Sequence, residues 1–192
     1  MKHILLSLLL VLSFICFGRS NRDTVYKSYN LKGGYIVQVK SLRADSNAVI
    51  LIHGKDSNML NSAEKSLGLA ALGYVYADFD KTYIMATHLE TDPVKFEVIE
   101  KATGQTILYG QSVFYKDTVK QLMMFDGLYG KGRGKLVLFN TKTNNAEYFP
   151  APTDTPCFCC FCWKVTNLTD AEVQIQYENL KHEKVIKTYP RK

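Results

Sequence analysis

The pattern of apolar and polar positions changes character twice along this chain. An apolar run, Ile4 to Ile15 with only Ser7 and Ser13 inside it, opens the sequence and gives way to Cys16-Phe17-Gly18 and then to polar residues. Residues 35–39 alternate, the mark of a half-buried strand, and residues 48–52 are continuously apolar, the mark of a strand buried on both faces. After a polar break at 54–58, Leu60, Ala63, Leu67, Ala70 and Ala71 recur near helical spacing. With Ser57 or Asn58 as cap and Gly73 as stop, this predicts one amphipathic helix near residues 58–72.

Beyond Gly73 the short period returns. Strands are predicted at 74–79 and 82–86, and then in two segments of similar shape. Residues 95–100 turn at 101–105 and return at 106–109; residues 135–140 turn at 141–145 and return at 146–149. Gly104 and Asn144 hold matching places in these bends, and both residue types suit the positive φ of hairpin turns. A strand at 121–125, a hairpin from 159–166 and 172–177, and an edge strand at 183–189 complete the pattern. Lysines in the last of these discourage further pairing. A 40-residue offset relates the two similar hairpins, and two copies are too few to establish a propeller. The expected fold is mainly β, an antiparallel sandwich or barrel-like sheet built from hairpins, carrying the one helix.

The opening segment changes the picture of where the chain works. A basic start at Lys2, an apolar stretch and small residues at Cys16 and Gly18 form the tripartite pattern of a secretory signal peptide, residues 1–18. The stretch is short of the roughly 20 apolar residues that a membrane span needs. Residues 19–192 are then a single β-rich secreted domain, periplasmic or extracellular, with no transmembrane span in the mature chain. A lipid anchor on Cys16 is the alternative. About 174 residues suit one domain with its own core.

Composition narrows the partners. The chain has 24 Lys and Arg against 18 Asp and Glu; loss of Lys2 with the leader leaves 23 against 18, a net +5. These charges are spread out, and only Lys181, Lys184, Lys187, Arg191 and Lys192 lie close together. Nucleic-acid binding calls for a clustered basic face, and export removes that partner. An unknown protein or an acidic envelope component is expected instead. No cofactor is expected.

Two groups of residues carry possible chemistry. The run Ala48-Val49-Ile50-Leu51-Ile52-His53-Gly54, followed by the expected helix and by Leu72-Gly73-Tyr74-Val75-Tyr76-Ala77-Asp78, resembles the opening of an α/β-hydrolase. The resemblance covers about 30 residues and implies a parallel sheet, an oxyanion-hole amide after His53, and an esterase activity. Gly110-Gln111-Ser112 then falls where a nucleophile elbow would lie, with His182 as base and Asp154 or Asp170 as acid. The sequence departs from the elbow pattern at Val113 and Phe114, where the tight turn needs small residues.

The second group is Cys157-Phe158-Cys159-Cys160-Phe161-Cys162, which holds every cysteine after the leader. An oxidising compartment favours disulfides among them. A thiolate site for copper or zinc through Cys157, Cys159, Cys160 and Cys162 is a further alternative, and buried structural thiols another. The overlapping C-x-x-C spacings resemble redox motifs, which open a helix that nothing here predicts. Asp78, Asp80, His88 and Glu90 are acidic and imidazole candidates for a cation site without a loop pattern. Without a complete catalytic set, a non-enzymatic binding or envelope-associated module is the leading expectation.

Overall fold

A computed structural model describes residues 24–42, 46–64, 72–87, 95–127, 132–156 and 162–191. The described chain is mainly β and forms three antiparallel sheets, none closed into a barrel. The first holds β1 (Thr24–Asn30), β2 (Tyr35–Ser41), β3 (Ser46–His53) and β4 (Asp56–Glu64) in sequence order, with a 3-10 turn at Lys32–Gly34. The second has seven strands in order: β5 (Tyr74–Asp78), β6 (Thr82–Thr87), β7 (Lys95–Glu100), β8 (Thr106–Asp117), β9 (Leu122–Gly127), β10 (Lys135–Asn140) and β11 (Asn145–Pro150). The third joins β12 (Lys164–Leu168), β13 (Glu172–Glu178) and β14 (Lys184–Pro190). Each strand pairs with its neighbour in sequence, as short hairpin links dictate.

The predicted helix is not present. Its first part is β4, which pairs with β3 from His53↔Asp56 to Ser46↔Glu64; residues 65–71 lie outside the described residues. The reason is tertiary. β3 is apolar on both faces, and its backbone needs a partner on each edge. β2 supplies one edge and β4 the other. A two-residue turn at Gly54-Lys55 makes that possible, with Gly54 at φ 61°, the sign that a Gly-first hairpin turn requires. Helical spacing counted Leu60 with residues beyond the strand. In place, Leu60 is half-buried between exposed Met59 and Asn61 on an edge strand.

The core has three parts. Val37, Val39, Val49 and Leu51 of the first sheet pack on Tyr83, Met85 and Ile99 of the second. Leu122, Met124, Leu136 and Leu138 of the second sheet pack on Val173, Ile175 and Tyr177 of the third. Between these lies a cluster made by the second sheet alone among the described residues, including Ile84, Phe96, Val98, Met123, Phe125 and Val137. Alternation along each strand sends successive side chains to opposite clusters: Leu136 and Leu138 meet the third sheet, while Val137 and Phe139 face the other way.

The middle cluster depends on β8. Its first half pairs with β7 and its second half with β9, and the register with β9 shifts at Gln111/Val113 and again at Val113/Tyr115. Such bulges bend a strand and let it serve two sheet directions. Gly110 sits just before the bend. A side chain there would meet the Phe96 ring and crowd Phe125 at 3.0 Å. Its absence lets those two rings meet edge to face over β8, with centroids 5.0 Å apart.

Candidate functional site

The first two sheets are tied together by one buried cation. Lys101 follows β7 and is 2% exposed. Its Nζ donates to the carbonyls of Phe79 (2.6 Å) and Lys32 (3.0 Å) and lies 2.7 Å from Asp78 Oδ1. Asp78 also accepts the Lys32 backbone N–H at 2.8 Å, and Lys32 Nζ reaches Asp80 Oδ1 at 3.1 Å. The turn before β2 is thereby tied to the turn between β5 and β6. A buried charge persists only when paired and hydrogen-bonded in this way.

Where these two sheets face one another a cleft of about 240 Å³ remains. Val49, Leu60, Leu72, Met85 and Ile99 give it apolar walls. Gly104, at φ 70° in the β7–β8 turn, brings that turn against β4: a Cβ there would lie 3.0 Å from Leu60. The polar lining is Asn61, Thr87, Glu97, Thr106 and Tyr109.

Among the described residues Glu97 is the one charged group of this lining. Alternation on β7 turns Phe96 and Val98 into the middle cluster and puts Glu97 on the face of Ile99, toward the first sheet. The Thr106 hydroxyl donates to Glu97 Oε2 at 2.7 Å. Tyr109 stands opposite Glu97 in the β7–β8 ladder and is 63% exposed. Tyr83, opposite Ile99 on β6, is fully buried, and its hydroxyl has no hydrogen-bond partner. Burial, with the Glu97 charge adding to it, pushes the Tyr83 hydroxyl well above the usual phenol range.

A second titratable group lies between the second and third sheets. Trp163 Nε1 donates to Asp126 Oδ1 at 2.7 Å, and the Trp163 ring packs 5.9 Å from Tyr177. Burial pushes the Asp126 carboxyl up to about 6, with the indole N–H partly offsetting it.

The residues singled out in the sequence are dispersed. Ser112 is at the β8 bulge, 5% exposed and at φ 55°. Its strained backbone is real, but it belongs to a bulge between antiparallel strands and not to a strand-to-helix elbow. His182 is exposed in the β13–β14 turn of the third sheet, where Nδ1 pairs with Glu178 Oε1. Asp154 accepts from the Tyr177 hydroxyl at 2.9 Å, and Asp170 is exposed beyond β12. His53 ends β3 and stacks on Tyr35, centroids 4.0 Å apart. The parallel strand-helix-strand order implied by the hydrolase resemblance is not found among the described residues, where every strand pair is antiparallel.

Asp78 and Asp80 are engaged by Lys101 and Lys32; His88 and Glu90 lie outside the described residues. So do Cys16, Cys157, Cys159 and Cys160. Cys162 is disulfide-bonded and packs on the cluster between the second and third sheets. No disulfide pair and no group of three metal-ligating side chains occurs among the described residues.

Sequence reasoning passed over Glu97. Its signal was a charged residue inside a run, 96–99, that is otherwise apolar. Nothing in one strand reveals that the face it shares with Ile99 borders an open space. No protein-family model and no curated protein matches the chain.

Proposed function

We propose that the protein is an exported, non-enzymatic binding module whose ligand site is the cleft around Glu97. The observation that carries this reading is the composition of the cleft among the described residues: apolar walls, one carboxylate, and no histidine, cysteine, serine or second carboxylate in its lining. Concave, mostly apolar sites with a few placed polar groups bind small molecules. General acid–base or nucleophilic catalysis calls for a second positioned group. Ser112 and His182, on different sheets, do not supply one.

The first and third sheets both pack on the face of the second sheet that carries Met85, Ile99, Met124 and Leu136, while its opposite face closes on its own cluster, and this supports the barrel-like reading of that sheet. The leader pattern supports export, with a periplasmic or extracellular location. No helix among the described residues is long and apolar enough to cross a membrane.

The binding reading is tested with the neutral fluorescent probe N-phenyl-1-naphthylamine. Saturable one-to-one enhancement by the purified protein is expected, and Asn61→Trp, an exposed change on β4 that fills the cleft, abolishes it. Enhancement that survives this substitution places the probe elsewhere and removes the support.

A further inference from the structure

We propose that the cleft recognises a small organic cation, an ammonium group on a short aliphatic chain, through the Glu97 carboxylate. This rests on the reading of the cleft as a ligand site and names the chemistry of its ligand.

Among the described residues the charge on Glu97 is uncompensated. The protein has more Lys and Arg than Asp and Glu, and two other carboxylates at sheet junctions have cations beside them: Asp78 has Lys101, and Glu147 has Arg191 at 2.7 Å. Glu97 has a hydrogen bond from Thr106 and, among the described residues, no cationic side chain within 4.0 Å. An ionised carboxylate offers about four acceptor positions, and Thr106 uses one. A partly buried carboxylate without a partner is costly, and a ligand cation removes that cost.

The walls decide what kind of cation. A divalent metal takes six or more oxygen ligands, or several carboxylates and waters. The cleft offers one carboxylate and otherwise neutral groups, with five apolar side chains around them. An alkylammonium ion matches both parts. Its N–H groups meet Glu97, and its chain lies on Leu60, Leu72, Met85 and Ile99. The exposed Tyr109 ring, across the ladder from Glu97, adds an aromatic face of the kind that attracts ammonium groups. At about 240 Å³ the space takes butylammonium whole, and the larger naphthylamine probe enters past the exposed Asn61 and Tyr109 with part of its ring system left in solvent.

The test measures displacement of bound N-phenyl-1-naphthylamine by butylammonium chloride and by 1-butanol, on wild-type protein and on Glu97→Gln. Butylammonium is expected to bind at least about tenfold more tightly than butanol, and Glu97→Gln to erase that preference while the naphthylamine still binds. Retained naphthylamine binding shows that the variant is folded and its cleft open. If butylammonium is no better than butanol, or if Glu97→Gln leaves its affinity unchanged, the cation assignment is overturned and the cleft stands as a site for neutral ligands. If wild-type protein does not bind the naphthylamine at all, the binding reading fails and this inference with it.

Discussion

At the scale of single residues, two buried charges do different work. Lys101 is fully answered by two carbonyls and the Asp78 carboxylate, and removing one partner of such a buried pair costs about 3–5 kcal/mol. It therefore holds two sheets together and is not available for chemistry. Asp126 is held by one indole N–H in a partly buried place, and its carboxyl is pushed from 3.8 up to about 6. Because the folded protein binds this proton more tightly than the unfolded chain, the group's contribution to stability is full below about 4. It is lost as pH rises through about 6. Asp126→Asn keeps an acceptor for Trp163 and does not titrate. Relative to wild type, this variant is expected to gain stability on going from pH 4.5 to pH 7.5. Paired urea midpoints check this, and a difference that does not change with pH refutes it. Trp163 is the only tryptophan, so its emission in the native protein should also titrate near pH 6 in wild type alone.

At the scale of elements, β8 organises the second sheet. Its double bulge turns the strand from β7 toward β9, and Gly110 leaves room for Phe96 and Phe125 to touch. Gly110→Ala adds one carbon where the Phe96 ring lies. It is expected to destabilise by about 1–3 kcal/mol, the usual range for overpacking, read as a lowered urea midpoint with the slope unchanged. The hairpins on either side were legible in the sequence because local chemistry specifies them: Gly104 and Asn144 do take positive φ, 70° and 58°. β8 was only half legible. Gly110-Gln111-Ser112 read as a nucleophile elbow at the end of a strand, whereas the strand continues to Asp117 with that turn absorbed as a bulge. β1 was not legible, because its side chains are almost all exposed and leave no alternating pattern.

At the scale of the whole molecule, cysteine chemistry depends on the compartment. Four of the five cysteines fall within six residues, 157–162, and Cys162 is disulfide-bonded. If the chain works in an oxidising compartment, the unreduced, denatured protein isolated from that compartment is expected to show no free thiol, and four after reduction. Thiol titration with and without reductant measures this. Free thiols before reduction, or bound copper or zinc by elemental analysis, would favour the thiolate site over disulfides. The candidate cleft belongs to the same scale, since its walls come from β3, β4, β6, β7 and the β7–β8 turn. No segment of the chain contains it.

The sequence by itself determined the strands with strong alternation or continuous apolar runs and the positive-φ turns between them. These are set by interactions a few residues apart. It misplaced residues 58–64 because helical spacing and an edge strand compete there. The exposed edge of β3 decides that contest, and this is a tertiary demand. Only the tertiary structure decided which strand faces meet, and so left Glu97 at an open cleft with no cation beside it among the described residues. It also separated Ser112 from His182, because a carboxylate's pairing and a catalytic distance depend on sheets that are distant in sequence.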